Sequence, residues 1–127
     1  EELQRLAHDF QKSIDMVAIS ANDVDHYPQD GPEPMKALFK NLGLGFPYLY
    51  DHTQELAKAL KAECTPEFYL YDSNHVLVYR GRLDAAAPGN SINPTGKDLR
   101  DALNSVLAGD LINENQLPSM GCSIKWK

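Results

Sequence analysis

Two thiols and a proline carry the first chemical signal in this chain of 127 residues. Cys64 stands two residues before Pro66 in the run Glu63-Cys64-Thr65-Pro66-Glu67-Phe68-Tyr69-Leu70-Tyr71-Asp72, and Cys122 stands between Gly121 and Ser123. An accessible thiolate exchanges with disulfides, whereas free cysteine is also among the residue types most often buried and inert. Two cysteines this far apart supply neither a disulfide framework nor the four short-spaced ligands of a structural zinc site. Proline cannot donate to a sheet ladder, so Thr65-Pro66 either opens an edge strand in trans or marks a specified cis turn. The dipeptide alone leaves both open.

Arg80 and Arg82 flank Gly81. Strand alternation puts both on one face, where they could lower a thiol pKa or hold a carboxylate, with Asp84 as the ion-pair partner suggested by sequence. Asp23, Asp25, His26 and Asp30 gather oxygen and nitrogen donors in one loop. Their spacing matches neither an EF-hand nor a zinc motif, so they read as solvated or capping groups and no metal is expected. His8, His52 and His75 have no partner in sequence and read as surface or capping residues.

The elements that must position these groups follow from periodicity. Leu3, Leu6, Ala7, Phe10 and Ile14 recur at helical steps. Residues 16–20 are a short apolar, β-branched run, the pattern of a strand covered on both faces and lying inside a sheet. Residues 22–34 hold acids, glycine and three prolines, which predicts a stiffened loop. Met35, Leu38, Phe39 and Leu42 predict a second helix ended by Gly43. A short strand over 46–51 follows, then a helix capped by Thr53 and carrying Leu56, Ala59 and Leu60. Phe68 to Tyr71, a turn at 72–74 and a strand over 75–80 predict an antiparallel hairpin. An irregular stretch over 84–95 leads to a last helix capped by Thr95, with Leu99, Leu103, Val106 and Leu107, that stops at Gly109.

Composition sets the frame. With 43% hydrophobic and 24% charged residues the chain suits one domain over 1–127, its last part, 109–127, an irregular C-terminal tail. A net charge of −6, with the 12 Lys and Arg scattered, leaves no basic stripe for a phosphate backbone, so nucleic acid is not expected as a partner. No apolar run approaches the roughly 18–20 residues of a membrane span and no signal peptide is visible, so no membrane partner and a cytoplasmic location are expected. The alternation of strands and helices predicts an α/β domain with a mixed sheet flanked by helices. The chain opens in helical register, and a first helix in such a fold normally follows a strand, which is therefore expected upstream of Glu1.

Five ordered blocks, "VAISANDVDHYPQDGPEPM", "FPYLYDHTQELAKAL", "CTPEFYLYD", "LVYRGRLD" and "PSMGCSIKWK", resemble the thioredoxin superfamily, in the branch grouped with alkyl hydroperoxide reductase and thiol-specific antioxidant proteins. The resemblance implies a thioredoxin-like fold with a central mixed β-sheet, N-terminally truncated, and a cis Thr65-Pro66 bond. It implies a reactive thiol in a Cys-x-x-Cys-like segment upstream of residue 1. The present chain has no Cys-x-x-Cys and no Thr-x-x-Cys. Cys64 and Cys122 are then candidate resolving thiols. Thr65, with main chain free to pair with an extended segment, and Pro66, Arg80 and Arg82 are the candidate substrate-binding residues. The activity implied is thiol–disulfide exchange or peroxide reduction, with protein or small-molecule thiols, disulfides or a peroxide as partners and no cofactor. A different class also fits: a non-catalytic thioredoxin-fold module that holds a protein partner through the Pro66 groove and the loop beginning at Asp23.

Overall fold

Parallel and antiparallel strand pairs, each accompanied by helices, make up the computed structural model, which describes residues 2–87 and 89–127. Glu1, in the expected helical start, and Pro88, in the expected irregular stretch, lie outside the described residues. The fold is α/β. The described residues group into two compact units: Leu3–Ala62 with Ile124–Lys127, and Glu63–Ser123 with Glu2.

In the first unit, α1 (Glu2–Phe10), which belongs to it from Leu3 onward, buries Leu6 and Phe10, one turn apart, while Gln4, Arg5, His8 and Asp9 face water. It ends earlier than the apolar spacing suggested, because the Phe10 carbonyl accepts the amides of both Ser13 and Ile14 and closes the last turn. Strand β1 (Ala18–Ser20) pairs in parallel with β2 (Tyr48–Tyr50), Ile19 opposite Leu49. Parallel pairing needs a crossover, and α2 (Pro32–Leu42) supplies it. The helix begins three residues before Met35, since proline suits the first helical position. Gly43 ends it in the left-handed conformation, φ 67°.

One expectation changes here. Strand β1 was to be covered on both faces, yet Ile19 and Leu49 are 41% and 52% exposed while Tyr48 and Tyr50 are half-buried. The face carrying Ile19 and Leu49 is therefore open, and among the described residues β1 and β2 pair only with each other. Helix α3 (Glu55–Ala59) starts at Gln54, in left-handed backbone, rather than at Thr53. Thr53 Oγ1 accepts only the Glu55 amide, at 3.3 Å, and the Asp51 carboxylate takes the Ala57 amide at 2.9 Å.

In the second unit, β3 (Cys64–Thr65) leads through the cis Thr65–Pro66 bond to the hairpin of β4 (Phe68–Tyr71) and β5 (Leu77–Gly81). Asp72 Oδ1 accepts the amides of Asn74 and Val76. The turn therefore takes in His75 and Val76, and β5 begins at Leu77. Helix α4 (Lys97–Ala108) packs on β4 with Leu99, Ala102 and Leu103 inward, beside buried Leu70 and Tyr79. Thr95 does not cap it. Gly96 does, at φ 68°, and the buried Asp84 carboxylate accepts the Thr95 and Gly96 amides at 2.9 and 2.7 Å.

The tail is more ordered than its composition suggests. Gln116 acts as a surrogate strand along β5: its Oε1 accepts the Arg80 amide and its Nε2 donates to the Val78 carbonyl. The Leu117 carbonyl accepts the Arg82 amide, and Ser119 Oγ donates to the Gly81 carbonyl. Gly81 has to be glycine at this crossing, because a Cβ would sit 2.4 Å from the Leu117 oxygen. The tail then pairs with β3 as β6 (Cys122–Ser123).

Candidate functional site

The two thiols sit in one antiparallel ribbon. Cys64 lies opposite Ser123 and Thr65 opposite Cys122. Directly opposed residues share a face and successive residues alternate, so Cys64 and Cys122 point to opposite faces of the ribbon. Both are free thiols, Cys64 half-buried and Cys122 exposed. Cys64 Sγ donates to the Ser119 carbonyl at 3.5 Å, which holds its side chain toward the tail.

Thr65 does not present free main chain. Its strand edge carries β6, and Gly121 comes so close that a Cβ there would lie 2.0 Å from the Thr65 carbonyl oxygen. Thr65 and Pro66 have exposed side chains. Arg80 binds the Glu67 carboxylate through Nε at 2.8 Å and stacks over the Tyr69 ring at 5.4 Å. Arg82 pairs with Asp98, not with Asp84 as its spacing suggested, because Asp84 is committed to the amides of Ala86, Thr95 and Gly96. The two arginines thus hold carboxylates of this same chain. Burial pushes the Tyr69 and Tyr79 phenols up to about 12, so both remain protonated near neutral pH, and Tyr79 donates its hydroxyl to the Arg82 carbonyl at 2.5 Å.

A second cluster lies in the first unit, at the carboxyl ends of the parallel strands, where open α/β sheets place their ligands. Asp23 is buried and accepts from exposed His26 Nδ1 at 2.5 Å and from the Asp25 amide. Asn22 donates to Asp30 at 3.1 Å. These contacts use the loop acids for one another, and among the described residues no group of three or more His, Cys, Asp or Glu is arranged to hold a metal ion. Tyr48 and Tyr50 each bury a phenol oxygen that has no hydrogen-bond partner among the described residues.

The Asp23–His26 hydrogen bond raises the histidine above its ordinary 6.5 and lowers the aspartate below its ordinary 3.8. The raised histidine stabilises the loop fully below about pH 6.5, and that contribution is lost as pH rises through the raised value. The lowered aspartate contributes above about pH 3.8, and that is lost as pH falls through the lowered value. The loop is therefore most stable from about pH 4 to 6.5. In an NMR titration the His26 midpoint should lie above 6.5 and fall toward it in Asp23→Asn. A wild-type midpoint at or below 6.5 would mean that the pair does not form in solution.

Gln54 is the residue the sequence reading missed. It is 2% exposed at φ 65°, and its amide joins Ala21 to the C-terminal residues. A buried amide that uses both donors and its oxygen is visible only when its partners, distant in sequence, are in place.

A family model described as AhpC/TSA family matches residues 1–80. The chain belongs to the AhpC/TSA family. Its α/β architecture is thioredoxin-like. Among solved structures this AhpC/TSA member is similar to an uncharacterized conserved protein from Geobacillus kaustophilus, with 53% identity, a TM-score of 0.96, and 99% of this chain and 67% of that one covered. It is also similar to a hypothetical protein from Sinorhizobium meliloti 1021, with 45% identity, a TM-score of 0.95, and 98% and 69% covered. No match was found among curated proteins. Among the described residues no helix of this AhpC/TSA member is long and apolar enough to cross a membrane.

Proposed function

We propose that this AhpC/TSA member is a thiol–disulfide oxidoreductase or peroxiredoxin-like antioxidant protein of the cytoplasm, with its attacking thiol upstream of residue 1 and Cys64 or Cys122 as the resolving thiol. The observation that carries the reading is the ribbon itself, two free thiols on neighbouring register positions of the strand that runs into a cis proline. The open apolar face of β1 and β2, with Val17, Ile19 and Leu49 exposed, supports a further segment in the native protein.

The chemistry balances without a cofactor. A thiolate attacks a substrate disulfide, forms a mixed disulfide and expels one substrate sulfur as thiolate. A second thiolate of the protein then attacks the mixed disulfide, releasing the other substrate sulfur and leaving a protein disulfide, so two electrons pass to the substrate. With a peroxide, attack on the O–O bond gives a sulfenic acid and releases water or an alcohol, and the resolving thiol condenses with loss of water. An external thiol donor resets the protein in either case. Ser119, whose carbonyl holds the Cys64 thiol, positions that sulfur beside the strand.

The test uses the native polypeptide, including any upstream segment, with hydrogen peroxide or insulin as oxidant and dithiothreitol as donor. Replacing the resolving cysteine, by Cys64→Ser or Cys122→Ser, should lower turnover at least tenfold and trap a mixed disulfide or sulfenic acid visible by mass. Full turnover in both single variants and in the double variant removes these thiols from the mechanism. No turnover in the wild type favours the second reading, a non-catalytic binding module.

A further inference from the structure

The last four residues are read by the first unit as a ligand is read. Asn22 Oδ1 accepts the Lys125 amide at 3.0 Å, and the Lys125 carbonyl accepts the Asp23 amide at 2.7 Å and Gln54 Nε2 at 3.0 Å. Gln54 Oε1 then accepts the Lys127 amide at 3.1 Å. Side chains frame this main-chain recognition: Ile124 is buried, Lys125 lies over the Tyr27 ring at 5.6 Å, and Trp126 lies beneath Lys58 at 5.8 Å. Neither a helix nor a sheet ladder makes these bonds. Gln54, 98% buried in a left-handed conformation that glutamine rarely adopts, is held there by its bonds to Ala21 and to the tetrapeptide.

In the second unit, β6 is two residues long, both exposed, and a pairing of that length is marginal by itself. Within that unit its place on the β3 edge is set by residues 116–119, laced along β5, and by the close approach of Gly121 to Thr65.

We propose that Asn22, Asp23 and Gln54 form a peptide-binding cleft for an extended Ile-Lys-Trp-Lys segment, occupied here by the chain's own residues 124–127, and that within the second unit β6 covers the β3 edge at Thr65. The protein thus carries its own competitor for the strand beside the cis proline. An extended partner segment must displace Gly121–Ser123, and it needs glycine, as Gly121 is here, one position before the residue that faces Thr65. The significance of covering that edge rests on the oxidoreductase reading above, but the test reads accessibility and binding, not turnover, so the two fail separately.

Trp126 is the chain's single tryptophan. A variant ending at Ser123 is therefore silent, and a synthetic Ser-Ile-Lys-Trp-Lys peptide reports its own binding by fluorescence anisotropy. The peptide should bind the shortened protein saturably, lose at least tenfold in affinity to Gln54→Ala in the same background, and fail to bind the full-length chain. Gly121→Ala in the full-length chain is the second arm. It should speed Cys64 labelling, followed by iodoacetamide and peptide mass, at least tenfold while Trp126 emission stays at its wild-type wavelength, since the methyl group expels β6 and leaves the tetrapeptide docked. Absence of peptide binding to a shortened protein with native circular dichroism overturns the cleft. Unchanged Cys64 labelling in Gly121→Ala overturns the covering of the β3 edge, and a concentration-dependent dimer of the full-length chain overturns the assignment of the tail to its own cleft.

Discussion

Asp84→Ala should remove about 3 kcal/mol of stability, a large fraction of the roughly 5–15 kcal/mol that holds a domain folded. The side chain is 8% exposed and is the sole acceptor shown for three amides, those of Ala86, Thr95 and Gly96. Two of these amides lead into α4, where the unpaired N–H groups and the helix dipole favour a negative charge. Alanine leaves all three donors without a partner and removes that charge, and a hydrogen bond to a charged group carries roughly 1.5–3 kcal/mol, not additively. Asp84→Asn keeps an acceptor at the same place and should cost about 1 kcal/mol. Urea denaturation of the three proteins decides it. If alanine and asparagine cost the same, the neutral acceptor contributes nothing and the charge carries the whole effect, and if alanine costs less than about 1 kcal/mol the three amides find water instead.

Leu6→Ala should cost about 3 kcal/mol for a different reason. Leu6 is fully buried, with no exposed area, and it anchors the apolar stripe of α1. Truncation loses the transfer free energy of its methyl groups and leaves a cavity that the surroundings fill only in part, which together run to about 2–5 kcal/mol. Leu6→Met, nearly equal in volume, should cost under about 1.5 kcal/mol. Guanidinium unfolding of both variants tests the cavity argument. Equal losses for alanine and methionine would mean that shape, not volume, governs the site.

What could be read from sequence divides by range. Gly43 and Gly109 ended their helices where the spacing said they would, and Leu99 and Leu103 are buried on α4 as expected, because these features depend on residues three and four apart, whereas Val106 is half-buried and Leu107 exposed in its last turn. The hairpin of Phe68 to Gly81 was visible for the same reason, with its turn two residues longer than expected. The helix caps were not legible. Thr53 and Thr95 have the right chemistry, but the Ala57 amide goes to the Asp51 carboxylate and the Thr95 and Gly96 amides go to that of Asp84, and a carboxylate is the stronger acceptor. The site was legible in its residue types and not in its geometry. Cys64, Thr65, Pro66 and Cys122 do meet in one ribbon, yet only the register shows that the thiols face apart and that the edge of Thr65 is taken. Gln54 and Lys125 are 71 residues apart, and no local pattern connects them.

The lacing of residues 116–119 along β5 has a bearing on solubility. A strand with unpaired amides and carbonyls at its rim is a template on which another chain can add itself, and proteins blunt such rims with charges, prolines or a covering segment. Here the Arg80 and Arg82 amides and the Val78 and Gly81 carbonyls are all capped by Gln116, Leu117 and Ser119. The residues before them, 113–115, are exposed and carry Asn113, Glu114 and Asn115, the kind of stretch proteases cut first. A single nick there would loosen the cover and leave the rim of β5 open to another chain, so resistance to self-association depends on residues 113–119 as well as on the core.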